Sequence, residues 1–183
     1  MKIGLLLGSF DPIHNGHVTM AAAATNLGMV DMVFFVPSAQ NPWKPKSTNF
    51  LIRCAMIQRA IEGESEFFMS PVEVQLDAPY YTYKTLELLQ KYYPNDEFSL
   101  IVGADTALSI KDWERGDWIL ANFPLITISR PGFEEPGVVD IPLEMNTSSS
   151  LIRELVKKGE SIDFLVHPGV KEIIECTKLY KNE

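Results

Sequence analysis

Two of the chain's three histidines, His14 and His17, stand three residues apart in the stretch GSFDPIHNGH, residues 8–17. Imidazoles donate hydrogen bonds to phosphate oxygens and, when protonated, offset charge that builds up at phosphorus. The residues around them suit the same ligand. Gly8 lets backbone approach an anion closely, Pro12 stiffens the loop, and Gly16 admits the chain to a helix without a side chain in the way. Amides near a helix start carry partial positive charge, and a spacing of three at that start lets both rings face one side. The chemistry is that of binding nucleotide phosphates.

A second cluster lies late in the chain. Thr147, Ser148, Ser149 and Ser150 are consecutive hydroxyls, followed by Arg153. A helix needs only one hydroxyl as its N-cap. Four exceed that need, and with the free amides of a helix start and Arg153 they form a cradle suited to a triphosphate. Leu151, Ile152, Leu155 and Val156 are expected to make the buried stripe of this helix, with Arg153 off it.

The elements that must position these residues follow from periodicity. Residues 2–7, 32–36, 98–102 and 125–129 are short apolar runs ended by Gly, Pro or a turn, as expected of strands buried on both faces. Residues 67–76 read as a further strand broken at Pro71. Helical patterns cover 16–27, 50–61, 82–92, 150–158 and 168–176, and the stripe of the second is read as Leu51, Ile52, Ala55, Met56 and Ile61. A loop rich in Pro, Gly and Glu precedes the last two helices. Strands alternating with helices predict a doubly wound, Rossmann-like α/β fold, with a mostly parallel sheet, helices on both faces and a single domain over residues 1–183. Such sheets bind ligands beyond the carboxyl ends of their strands. The informative residues do cluster there, at 8–17, 37–44, 103–105 and 130–132.

Composition narrows the class. The 183 residues suffice for one well-buried core, and 46% hydrophobic with 22% charged residues is ordinary for a globular protein. A net charge of −8 argues against a protein that grips nucleic acid, since that binding depends on many Lys and Arg. No apolar run approaches the ~20 residues of a membrane span, and the N-terminus lacks a secretory pattern, so a cytoplasmic location without membrane attachment is expected. Cys54 and Cys176 have no Cys or His neighbour at zinc-ligand spacing and are read as reduced thiols.

The pattern G-x-F-D-P-x-H-x-G-H resembles that of the nucleotidylyltransferase superfamily, whose members join a nucleotide to a phosphorylated acceptor and release pyrophosphate. The triple serine with Arg153 resembles that family's second signature, with Ser150 where threonine is usual. VPSAQNPWK, YYTYKTL, IVGADTALSIKDW, SRPG and VHPGVKEIIECTKLY resemble segments of the bacterial nicotinate-nucleotide adenylyltransferase branch, so the likeness covers almost the whole chain. The resemblance implies ATP and nicotinate mononucleotide as substrates, with Mg2+ carried on ATP and no metal held by the protein alone. It implies His14, His17, Lys44 and Arg153 as the catalytic set. Gly8, Ser9, Phe10, Gly16, Gly103, Asp105, Ser148, Ser149 and Ser150 would then contact ATP, and Asn41, Lys44, Thr82, Thr85, Trp113 and Arg130 the pyridine nucleotide. Asp11 has two readings, orienting its loop or sitting near the metal, of which the first is favoured.

Two neighbouring readings stay open at this point. A phosphopantetheine adenylyltransferase shares both terminal motifs, although that group commonly carries threonine at the position of His14. A nucleotide-binding sensor could keep the fold without the reaction. The oligomeric state, homo-oligomer included, is left open as well.

Overall fold

The computed structural model describes residues 1–40, 47–129, 139–142 and 147–181. Six parallel strands form one sheet: β1 (Lys2–Gly8), β2 (Met32–Pro37), β3 (Phe67–Met69), β4 (Glu97–Gly103), β5 (Leu125–Ser129) and β6 (Val139–Pro142). Their spatial order is β3-β2-β1-β4-β5-β6. The chain therefore winds outward from β1 in one direction and, from β4, in the other. Between β1 and β4 lies the switch point, where an open α/β sheet leaves a crevice at its carboxyl edge. Gly8, paired in register with Pro37, ends β1 at that edge, and Gly103 ends β4 there.

Side-chain alternation along the strands divides the core in two. Leu6, Val33, Phe35, Ile101 and Ile126 point to one face, where they meet α1 (Asn15–Asn26), α2 (Phe50–Ala60), α6 (Ser149–Lys158) and α7 (Pro168–Thr177). Ile3, Leu5, Phe34, Val36, Leu100 and Leu125 point to the other, against α3 (Thr82–Tyr92) and α5 (Gly116–Asn122). Burial of each such side chain contributes about 1.5–3 kcal/mol. Gly4 lies where β1 and the core approach closely: a Cβ there would stand 2.6 Å from Cδ1 of Ile101.

Several expectations are corrected. Residues 67–76 do not form one long strand; only Phe67–Met69 pairs, and Val72–Gln75 is a 3-10 turn. Pro71 cannot extend the ladder, and the turn that follows it carries Glu73 inward. The segment after Gly103 holds α4 (Ala104–Ser109), a 3-10 turn at Ile110–Asp112 and α5, and β6 arises within what reads as loop. Leu51, expected on the buried stripe of α2, is 73% exposed. The buried face of that helix is instead Arg53, Cys54, Met56, Ile57 and Ala60, rotated toward the sheet. Leu151 likewise turns outward, leaving Ile152 as the buried residue of α6. Both thiols are free, Cys54 buried and Cys176 exposed, and among the described residues no helix is long and apolar enough to cross a membrane.

Candidate active site

The loop from Ser9 to Ile13 leaves β1, and α1 begins at its far end with His14 as N-cap. His14 is 8% exposed, and its ring stacks on that of His17, centroids 3.7 Å apart with 28° between planes. The main-chain N–H of His14 donates to Nδ1 of His17 at 3.3 Å. A neutral His17 must then carry its proton on Nε2, which makes Nε2–H the group able to donate to a ligand. Burial lowers the pKa of His14 to about 4, and burial with the neighbouring His14 holds His17 well below its ordinary value. Both rings are therefore neutral in the free protein near pH 7.

Gly16 makes the stacking possible. A Cβ there would lie 2.9 Å from Nδ1 of His14 and 3.0 Å from Cγ2 of Thr147. Thr147 opens the second cluster, so the two motifs meet at this glycine. They are also joined by hydrogen bonds. Arg153 donates through Nη1 to the carbonyl of Asp11 at 2.8 Å and through Nη2 to Oγ of Ser150 at 3.1 Å, and Ser149 Oγ donates to the carbonyl of Pro12 at 2.9 Å. Ser148 is the N-cap of α6, its Oγ accepting from the Leu151 N–H at 3.1 Å. By helix geometry the amides of Ser149 and Ser150 have no intrahelical acceptor. Among the described residues, the buried polar atoms His14 Nδ1, Ser38 Oγ and Thr147 Oγ1 have no hydrogen-bond partner. Such atoms are uncommon in folded proteins and point to a polar ligand.

Two arginines shape the loop. Arg53, 1% exposed, donates to the carbonyls of Thr48 (2.9 Å), Ser9 (2.6 Å), Ser38 (2.7 Å) and Ala39 (3.3 Å). It ties the exits of β1 and β2 to the start of α2, while Arg153 holds the next carbonyl but one, that of Asp11. No resemblance or motif marked Arg53. The signal was available: Met56, Ile57 and Ala60 share a face, and one turn back on that face stands residue 53.

The Asp11 carboxylate is held by two partners. Its Oδ1 accepts from the Tyr180 hydroxyl at 2.6 Å and its Oδ2 from the Thr48 N–H at 3.0 Å. Burial is only part of the reason the Tyr180 phenol stays protonated; the adjacent Asp11 charge pushes its pKa up further. Among the described residues no three His, Cys, Asp or Glu side chains stand together as an ion site.

Other expected residues separate into three groups. Gly103 and Asp105 lie together where β4 passes into α4, with Asp105 exposed and open space beside Gly103. Thr82 begins α3 and Trp113 ends the 3-10 turn, both half-buried; Trp113 packs against the core cluster containing Ile110 and Ile119. Lys44, Asn41 and Arg130 lie outside the described residues.

Two side chains are placed differently from expectation. Phe10 is 2% exposed, its ring under that of His17 at 5.0 Å between centroids, so only its backbone can reach a ligand. Its φ of 49° lets the loop turn while the ring stays in the core. Thr85 is fully buried and its hydroxyl donates to Oε1 of Glu73 at 2.8 Å; it braces the wall behind the site and does not face it. Oε2 of Glu73 accepts from the Ala39 N–H at 2.9 Å, so this buried acid links α3 to the exit of β2. Beside that exit a concavity of about 400 Å³ is lined by Gln40, Ala78, Pro79 and Tyr80.

The cytidylyltransferase-like family profile matches residues 5–155. A Clostridium tetani protein named as a probable nicotinate-nucleotide adenylyltransferase is 37% identical over 98% of this chain and 99% of its own. The nicotinate-nucleotide adenylyltransferase of Bacillus subtilis is 35% identical over 99% of both chains. The solved structure of Plasmodium falciparum nicotinic acid mononucleotide adenylyltransferase complexed with NaAD superposes with a TM-score of 0.85 at 24% identity, covering 100% of this chain and 98% of that one.

Proposed function

Since the chain belongs to the cytidylyltransferase-like family and, within it, to the nicotinate-nucleotide adenylyltransferases, we propose that its two polar motifs grip one ATP while nicotinate mononucleotide attacks it. The product is nicotinate adenine dinucleotide, a step of NAD biosynthesis, and the by-product is pyrophosphate. The observation that carries the site assignment is the junction itself: the imidazole stack, the start of α6 and Arg153 lie against one loop at the switch point of the sheet.

The acceptor's 5′-phosphate is already an ionised nucleophile. One of its oxygens bonds to the α-phosphorus of ATP as the bond from that phosphorus to the bridging α–β oxygen breaks, and the electron pair leaves with pyrophosphate. No covalent enzyme intermediate is required. The protein's tasks are to hold two anions in line despite their repulsion and to stabilise charge on the phosphates. In this reading His17 Nε2–H and His14 donate to the α and β groups, and the amides of Ser149 and Ser150 with Arg153 hold the β and γ groups. The orphaned atoms His14 Nδ1 and Thr147 Oγ1 support that placement. A polyphosphate beside the imidazoles also favours their protonated forms, so the donors strengthen as the ligand arrives.

Gly8, Ser9 and the Phe10 backbone line the same loop, Ser148 shapes the start of α6, and Gly103 with Asp105 faces the ribose. Lys44 seats phosphate. Thr82, Trp113, Asn41 and Arg130 serve the pyridine nucleotide. Mg2+ fits the site as a passenger on the ATP phosphates, where it would supply charge neutralisation; the loop's own acid, Asp11, has both oxygens engaged by Tyr180 and Thr48.

The assignment is tested by offering MgATP with nicotinate mononucleotide, its amide or phosphopantetheine, and identifying the products. The expected result is nicotinate adenine dinucleotide and pyrophosphate in equal amounts, with the first acceptor preferred. Preference for phosphopantetheine would move the chain to another branch of the family.

A further inference from the structure

The turn that follows α7 reaches back under the loop that bears the histidines. Tyr180 follows α7, takes a φ of 63° and is only 3% exposed, although three residues remain after it. Its hydroxyl donates to Oδ1 of Asp11 at 2.6 Å and accepts from Oγ1 of Thr48 at 3.4 Å. The Thr48 N–H takes the other carboxylate oxygen at 3.0 Å. The main-chain carbonyl of the same Asp11 accepts from Arg153 at 2.8 Å. Asp11 thus gives its carbonyl to Arg153 and its two carboxylate oxygens to Tyr180 and Thr48.

We infer that Tyr180 is a positioning residue that keeps the Asp11 carboxylate off Arg153, so that this guanidinium stays available to a polyphosphate. A carboxylate and a phosphate compete for one guanidinium by the same fork of N–H donors. The two holders of the carboxylate decide the outcome. With the phenol removed, one oxygen of Asp11 is left without its charge-assisted partner in a largely buried place. The Arg53 charge also acts on Asp11, but its donors are taken by four carbonyls, so Arg153, already bonded to the carbonyl of the same residue, is the guanidinium left to take that oxygen. ATP would then have to displace an internal anion. The pyridine nucleotide, held elsewhere, would not.

This inference rests on the reading of Arg153 as a phosphate ligand, and its test separates the two. Tyr180→Phe and the double variant Tyr180→Phe/Asp11→Asn are assayed with MgATP and nicotinate mononucleotide varied independently. The single variant should raise KM for ATP about tenfold, with KM for the acceptor little changed. The double variant, which lacks the competing charge, should restore KM for ATP to within about threefold of the parent. A purely structural role predicts equal losses for both substrates and no restoration, and that result overturns the inference. If Tyr180→Phe does not fold, a folded double variant with near-parent KM for ATP still supports it, and a double variant that also fails to fold overturns it. Failure of the unaltered protein to release pyrophosphate would instead remove the underlying reading.

Discussion

Arg153 donates to the main-chain carbonyl of Asp11 at 2.8 Å, joining two residues that lie 142 apart along the chain. The contact fixes α6 against the loop between β1 and α1 and leaves the rest of the guanidinium fork beside Ser150. Lysine offers a point charge in place of that fork, so it cannot hold the carbonyl and a phosphate with the same geometry. Arg153→Lys should lower kcat/KM for ATP about tenfold and Arg153→Ala about a hundredfold. Steady-state pyrophosphate release checks this, and an alanine variant within twofold of the parent would exclude the residue.

His17 has Nδ1 occupied by the His14 N–H, which leaves Nε2–H as its outward donor. Its replacement should act on the reaction more than on the fold. His17→Ala is expected to cut kcat by about a hundredfold or more with an unchanged far-ultraviolet circular dichroism spectrum. Near-parent turnover would take the ring off the list of groups that touch substrate.

The His14 ring titrates at about 4 in the folded protein instead of near 6.5, because it is buried. Between those values the unfolded chain binds more protons at this site than the native one, so stability rises with pH across that window. The contribution is complete above about pH 6.5 and lost as pH falls toward 4, and a shift of this size is worth up to about 3 kcal/mol. Denaturant unfolding at several pH values should show a flatter dependence for His14→Gln than for the parent from pH 6.5 to 4. Parallel curves would show that the ring is not held neutral by the fold.

Arg53 satisfies carbonyls of Thr48, Ser9, Ser38 and Ala39 from inside the core. Arg53→Met fills most of the volume but leaves those oxygens without donors, at a cost of about 3 kcal/mol or more. Thermal unfolding should fall by about 6–12 °C. A fall under about 2 °C would mean that the loops hold their shape without this residue.

How much of this could be read from the sequence depended on whether the relevant contacts are local. The switch-point site was legible because His14, Gly16 and His17 are close along the chain and follow a strand, and because Thr147 to Ser150 exceed what a helix cap needs. Arg53 and Tyr180 were not, since each acts on carbonyls or a carboxylate that only the finished fold brings near: Arg53 on Ser9 across 44 residues and Tyr180 on Asp11 across 169. Thr85 was misplaced for the opposite reason. A hydroxyl near a helix start looks available, but its position on the same face as Leu86 and Leu89 puts it in the wall, where Glu73 takes it. β6 was hidden by its shortness, four residues after a run of Pro and Gly, and it exists because β5 offers an unpaired edge.

In the proposed reaction, nucleophilic attack falls on the α-phosphorus of an ATP held between the histidine loop and α6. It is tested most directly by following two labels in parallel reactions with nicotinate mononucleotide, one on the α-phosphate and one on the γ-phosphate of ATP. The α label is expected in the dinucleotide and the γ label in pyrophosphate. A γ label found on the acceptor or as free orthophosphate, with the α label remaining in ADP, would contradict it.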